Sequence, residues 1–326
     1  MENRETSAHY ERLAGSYDQA WTYSETFLDW MAGEIVGSLE LTRGDRIADV
    51  GCGTGLHTRR LLGLVRPTVP ILCVDPSPAM LRQLPADSGL RPVCASAEQF
   101  AAVDGHEPDA ALPGSLDAIV VKEAVHHIAA ADRPQVIAGL AGLLGPAGRL
   151  LVVMLPRKIT YPLFGAALRR FEQLQPDPET IADHMWSAGL AVSVSYRERS
   201  VEIPKGRYLG MVRGRHMSLL STFDDDALSA GVAEIDAAHP ESLLSFPTGS
   251  RSSSARRGRH RVAGDRPATV GSTGDDSRWP SAGPVPGPRA CWARSRPPVL
   301  AARFGVRQVT EAMVRTGRTF VRARGP

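Results

Sequence analysis

Lysine is almost missing from this sequence of 326 residues: Lys122, Lys158 and Lys205 are the only three among 38 basic side chains. Aromatic residues make up 6%. The four cysteines are Cys52, Cys73, Cys94 and Cys291, and no pair has the spacing of a metal or redox motif. That excludes a disulfide scaffold or zinc module and predicts reduced thiols in a cytoplasmic protein. No apolar run reaches the length of a membrane-spanning helix. Met1-Glu2-Asn3-Arg4-Glu5 carries acids where a secretory signal would turn apolar. What is present, 43% hydrophobic and 22% charged residues, is ordinary globular composition. The length allows one large domain or two modest ones.

The net charge of +3 conceals two unlike segments. Residues 247–326 hold 16 Arg and no Lys against three Asp and one Glu, a net +12, which leaves −9 on residues 1–246. Apolar periods fill the first segment and fade in the second, where Arg, Ser, Gly, Pro and Ala dominate from Pro247 to Pro298. Such a tail reads either as disordered or as out-of-frame translation. The excess of Arg over Lys points to GC-rich codons. Read one base earlier, each TCN serine codon ends in TC and encodes Phe, Leu, Ile or Val. Pro247-Thr248-Gly249-Ser250-Arg251-Ser252-Ser253-Ser254-Ala255 then becomes Pro-Asp-Arg-Phe-Ala-Phe-Val-Leu-Gly, a strand between turns. The domain boundary is accordingly expected at Phe246. The basic tail does not predict nucleic-acid binding: Trp279, Trp292, Phe304 and Phe320 give no interleaved stacking pattern.

Within 1–246, strands are predicted at Arg46–Val50, Pro70–Asp75, Arg91–Ala95, Leu116–Lys122, Gly148–Leu155 and Leu190–Arg197. Helices are predicted near Thr6–Tyr17, Glu25–Leu39, Leu56–Leu64, Pro78–Leu84, Arg133–Leu144, Tyr161–Gln175, Pro178–Ala188 and Asp224–Ala238. Asp132 followed by Gln135, with Pro134 in the first turn, has the pattern of a helix start. Short apolar strands alternating with helices imply an α/β fold, a doubly wound, mostly parallel sheet.

The strongest chemical signal is Asp49-Val50-Gly51-Cys52-Gly53-Thr54-Gly55. A strand runs into a glycine turn and then a helix, so a ligand can approach the backbone and meet a helix N-terminus. The spacing is Gly-x-Gly-x-Gly after an acid, not the Gly-x-Gly-x-x-Gly of dinucleotide enzymes. Asp75, which ends the second strand, stands where a carboxylate can hold both hydroxyls of a ribose. Its other reading is a cap for the helix at Pro78.

With Ala95-Ser96-Ala97-Glu98, strand Asp117–Val121, the turn Gly145-Pro146-Ala147-Gly148 and the opening His9-Tyr10-Glu11-Arg12-Leu13-Ala14-Gly15-Ser16-Tyr17-Asp18, residues 8–245 resemble the class I S-adenosylmethionine-dependent methyltransferases of the small-molecule subgroup. The resemblance implies a Rossmann-like fold, S-adenosylmethionine as cofactor and a small-molecule acceptor. It places Asp49 and Gly51 near the methionine end, with Gly53 and Gly55 close to the cofactor. Asp75 falls on the ribose, and Pro76, Met80, Ser96 and Ala97 around the adenine. Tyr17 and Lys122 also fall to the cofactor, and Tyr10 stands with Tyr17 as a cover. The family often has Asp where this chain has Ser96. The family sheet ends with an antiparallel seventh strand, which is expected here to be missing or altered.

Lys122-Glu123-Ala124-Val125-His126-His127 follows the fourth strand and faces the reacting methyl. Glu123, His126 and His127 are the candidate catalytic residues, one of them taking a proton from the acceptor. Helix-start packing is the other reading of the histidine pair, which lacks a third ligand for a metal; no metal is expected. Residues 155–186 and 203–220 are expected to cover the substrate. Lys205, Arg207, Arg213 and Arg215 form either an anion site or a solvated basic face. Asp224-Asp225-Asp226 reads as a helix start. Two rival functions are kept: a nicotinamide-dependent oxidoreductase, and a non-catalytic or poorly folded remnant. No nucleic-acid or membrane partner is expected, and the sequence leaves the oligomeric state open.

Overall fold

Apolar strands joined by helices bury both faces of a sheet, and the architecture follows from that. The computed structural model describes residues 9–86, 89–102 and 112–257. Helical residues 9–13 (α1) lead to α2 (Tyr17–Trp21), α3 (Glu25–Leu39), β1 (Ile47–Val50), α4 (Thr58–Val65), β2 (Ile71–Asp75), α5 (Pro78–Leu81), β3 (Leu90–Cys94), α6 (Ala97–Ala101) and β4 (Leu116–Lys122). Then come α7 (Arg133–Leu143), β5 (Leu144–Met154), α8 (Gly165–Leu174), α9 (Pro178–Ser187), β6 (Leu190–Pro204), α10 (Lys205–Arg213), α11 (Asp225–Ala238) and β7 (Leu243–Arg257). Of the two units into which the chain divides, the second, Arg261–Thr316, lies outside the described residues.

Strand order is β3-β2-β1-β4-β5-β7-β6. The first five strands pair in parallel, and β7 pairs antiparallel with both β5 and β6. Side-chain alternation assigns the faces. Ile47, Ala118, Val120, Leu151 and Val153 join the core with α3, α4, α8 and α10. Ala48, Val50, Ile119, Val121, Leu150 and Val152 join the core with α7 and α9. Chain order reverses between β1 and β4, the place where doubly wound sheets bind ligands beyond their strand ends. No helix among the described residues is long and apolar enough to cross a membrane.

Several expectations need correction. The helix predicted over Thr6–Tyr17 breaks at residues 14–16, and Ser16 precedes α2. Helix α7 begins at Arg133 as read, but Asp132 sits in helical backbone (φ −92, ψ −18) and its side chain caps nothing. The capping box is at α6 instead: Gln99 N donates to Ser96 Oγ at 3.2 Å, and Ser96 N donates to Gln99 Oε1 at 2.8 Å. Asp224 caps α11 by accepting from Ala227 N at 2.7 Å, in line with the helix-start reading.

The seventh strand, expected to be missing or altered, has its backbone in place as β7, Leu243–Arg257, and Phe246 lies within it. Residues 251–256 pair with β5, and residues 243–257 pair with β6 along its whole length. Strand β6 therefore runs to Pro204 rather than stopping at Arg197, because β7 supplies ladder partners to the polar stretch 198–200 that apolar patterning passes over. The rest of the expected tail, 258–326, lies outside the described residues.

Candidate functional site

Strand β1 ends in a turn whose three glycines all take left-handed backbone: Gly51 (φ 78), Gly53 (φ 58) and Gly55 (φ 73). The turn is tied to β2. Gly51 N and Cys52 N both donate to Val74 O, at 2.8 and 3.0 Å. Gly53 N donates to Asp75 Oδ2 at 2.8 Å, while Ser77 N donates to Asp75 Oδ1 at 2.9 Å. Each carboxylate oxygen thus spends one lone pair on the fold and keeps another for a ligand. Burial raises the Asp75 pKa against the pull of those two amides. Asp49 is buried at the end of β1, accepts from Thr58 Oγ1 at 2.5 Å, and is pushed up to about 6 by burial.

The N-terminal helices close over this turn. Asp18 accepts from Thr54 Oγ1 at 2.5 Å and from Arg59, and Glu11 accepts from Ser77 Oγ at 2.9 Å. Tyr10 and Tyr17 pack on Ala14, Ala79 and buried Met80. Burial keeps both phenols neutral by raising their pKa values.

The opposite wall is the end of β4. Glu123 stands in left-handed backbone (φ 51), a conformation that costs a non-glycine residue about 1–2 kcal/mol. It is held there by its amide, which donates to Val153 O at 2.8 Å. Burial raises its pKa, opposed by Lys122 and by a hydrogen bond from the Leu155 backbone. Burial lowers the Lys122 pKa, opposed by Glu123 and Asp49.

One cleft gathers these groups. Tyr10, Tyr17, Asp49, Gly51, Lys122, Glu123 and His126 line it. Gly53, Gly55, Asp75, Pro76, Met80, Ser96, Ala97 and His127 do not. His127 instead pairs through Nε2 with Tyr10 Oη at 2.7 Å, so only His126 of the pair faces the cleft. Ser96 Oγ is taken up as the cap of α6. Of the two segments expected as covers, Leu155, Tyr161, Phe171, Leu174 and Gln175 of one line the cleft, and Met217, Ser218 and Leu219 of the other. Trp186 is exposed. Three basic residues of the second segment are paired within the fold. Lys205 binds His239 O and Asp236, and Arg207 binds the carbonyls of Gln19, Thr22 and Tyr23. Arg215 binds Leu220 O, Phe223 O and Asp225. Sequence reading missed Trp21, Tyr23, Phe27, Cys52, His57 and Thr248; of these, only Cys52 and His57 adjoin a motif.

Burial makes this region sensitive to acid. His9, His127 and His216 are lowered to about 4, and His57 and His126 well below the usual value. Between pH 4 and 6.5 these five imidazoles hold fewer protons in the folded chain than in the unfolded one, so stability falls as pH drops. Asp49, Asp75 and Glu123 act in the opposite sense, with raised values, but are fewer. The melting temperature is expected to fall steadily as pH drops below 6.5, with cooperative unfolding lost near 4; a melting temperature flat across that window would contradict this.

Residues 48–150 match the family model described as "Methyltransferase domain". No curated protein matches the chain. Among solved structures, a protein from Anabaena variabilis described as a methyltransferase from an antibiotic biosynthesis pathway is 15% identical, with a TM-score of 0.52, over 69% of this chain and 96% of that one. A cyclopropane synthase from Mycobacterium tuberculosis is 15% identical, TM-score 0.50, over 78% of this chain and 98% of its own. A phosphoethanolamine N-methyltransferase from Haemonchus contortus bound to S-adenosylhomocysteine is 15% identical, TM-score 0.43, over 70% of this chain, which spans only 52% of that enzyme. At such identities the likeness is one of fold.

Proposed function

Residues 48–150 match a methyltransferase-domain model, and from that match we propose that the chain transfers a methyl group from S-adenosylmethionine to a small-molecule acceptor. The residues fit the cofactor: Asp75 keeps a free lone pair on each oxygen for the ribose hydroxyls, and the glycine turn leaves the backbone bare. Gly51 and Asp49 would take the methionine end, with the face of Tyr17 beside the sulfonium, an attraction of about 0.5–2 kcal/mol. When bound, the cofactor supplies an electrophilic methyl on sulfur. Cys52, Cys73 and Cys94 are free thiols, which fits a cytoplasmic setting.

The observation that carries the reading is the strained Glu123 at the end of β4, facing the same cleft as Asp49 and Gly51. Glu123 takes the proton from the acceptor while the cleft walls hold the nucleophile in line. His126, kept neutral by burial, is the alternative base.

A melt of the whole chain with S-adenosylhomocysteine tests the cofactor. At 100 times its dissociation constant the ligand should add about 2.7 kcal/mol. Asp75→Ala should remove the shift. NAD should give none; a shift with NAD alone would instead support an oxidoreductase. Glu123→Gln should retain the S-adenosylhomocysteine shift and lower kcat by about 10²–10⁴-fold. Unchanged turnover in that variant transfers the role to His126. In the wild type, the acid limb of kcat should lie above the ordinary carboxylate range, since the Glu123 pKa is raised.

A further inference from the structure

The acceptor half of the cleft combines features that specify a chemical class. Its walls are rings: Trp21, Tyr23, Phe27, Tyr161 and Phe171. Tyr23 meets Phe27 edge-on at 5.6 Å, and Tyr161 stacks toward Phe246 at 5.1 Å. Flat apolar walls of this kind fit a ring.

Charge recognition is missing from the same walls. The nearby cations of the cover are consumed by backbone carbonyls and carboxylates, as described above for Lys205, Arg207 and Arg215. Lys122 is the one Lys or Arg among the lining residues, and it sits between Asp49 and Glu123. A phosphate or carboxylate would find no uncompensated cation there.

What the wall offers instead is neutral hydrogen bonding. Trp21 Nε1, His57 Nδ1 and His126 Nδ1 are buried in the lining with no partner. Behind Trp21 stands His216, with ring centroids 5.4 Å apart, then Tyr208 at 6.0 Å from His216. The Tyr208 hydroxyl is also unpartnered. Buried polar groups are nearly always paired, so a cluster of orphans beside a cleft marks groups awaiting a ligand. Indole N–H only donates, so it asks for an oxygen or other acceptor atom and cannot be paired by an ammonium.

We propose that the acceptor is an uncharged ring compound carrying at least two oxygen functions, one hydroxyl at Glu123 and a second oxygen at Trp21 Nε1. This rests on the methyltransferase reading. The hydroxyl oxygen forms a bond to the methyl carbon as the sulfur–methyl bond breaks. Its proton passes to the Glu123 carboxylate, and the products are a methyl ether and S-adenosylhomocysteine.

The test is calorimetric titration of the full chain, with and without S-adenosylhomocysteine, using four probes: 1,3-dihydroxynaphthalene, naphthalene, 2-naphthoate and 2-naphthylmethylammonium. The diol is expected to bind at least tenfold more tightly than each of the other three. Trp21→Phe should weaken the diol about 5–10-fold and leave naphthalene and S-adenosylhomocysteine binding as they were. The inference is overturned if either charged probe equals the diol, if naphthalene does, if none binds, or if Trp21→Phe leaves the diol unaffected. The wild-type comparison decides the matter even if that variant misfolds. Failure of S-adenosylhomocysteine to bind would sink the methyltransferase reading instead, and the probe order without it is read separately.

Discussion

Gly51→Ala should abolish cofactor binding and lower the melting temperature by about 10 °C. Two costs coincide at this position. An alanine at φ 78 pays the left-handed penalty, about 1–2 kcal/mol. Its Cβ would also lie 2.3 Å from Ala124 Cβ, an overlap that requires the turn after β4 to move. Overpacking of this kind costs about 1–3 kcal/mol, and a chain of this size loses about 2–4 °C per kcal/mol. The displaced segment carries Glu123, so catalysis should fail with binding. Gly53→Ala makes the comparison: it bears the conformational cost at φ 58, but its Cβ would meet nothing nearer than Tyr17 Cε1 at 3.9 Å. It should melt only a few degrees below wild type. Ala124→Gly in the Gly51→Ala background should recover the steric part alone. Equal melting of the two single variants, measured by calorimetry, would show that the contact with Ala124 does not constrain the turn.

The glycine turn was legible because left-handed backbone beyond a strand leaves so few residue choices that the sequence must announce it. Asp75 stood out as an acid closing an apolar strand, and its carboxylate ties the glycine turn to the segment before α5 through Gly53 N and Ser77 N. The parallel strands were read closely: Leu116–Lys122 matches β4 end to end. Strand β6 was cut short because its second half is exposed at residues 197–200 and paired along β7, and ladder bonds leave no trace in side-chain pattern. Asp132 and Pro134 marked the start of α7 correctly, but the Asp132 backbone is helical already and its carboxylate makes no cap hydrogen bond. The acceptor wall was illegible for a different reason. Trp21, Tyr23 and Phe27 belong to no sequence motif, and Thr248 reads as the start of a tail. Only tertiary packing brings them to one cleft, where Thr248 Oγ1 meets Tyr161 Oη at 2.5 Å.

A chain stopped after Phe246 should show no cooperative melt at all. Strand β7 gives β5 six paired positions, residues 251–256, and every one would be lost. Of the fifteen it gives β6, the eleven from Pro247 to Arg257 would go. Each orphaned buried backbone group costs about 1–3 kcal/mol, and a domain has a margin of about 5–15 kcal/mol. Losing the strand is therefore enough to unfold the sheet, and a cooperative melt of the truncated chain would show that β7 is dispensable. The content of the strand is a separate matter. Leu244, Phe246 and Thr248 are buried while Leu243 and Ser245 are exposed, so the even positions face the Tyr23, Tyr161 and Tyr208 core. Resequencing of the DNA across the Phe246 codon decides which frame the sheet was built for: a missing or extra base supports the shifted reading, and a clean in-frame read overturns it.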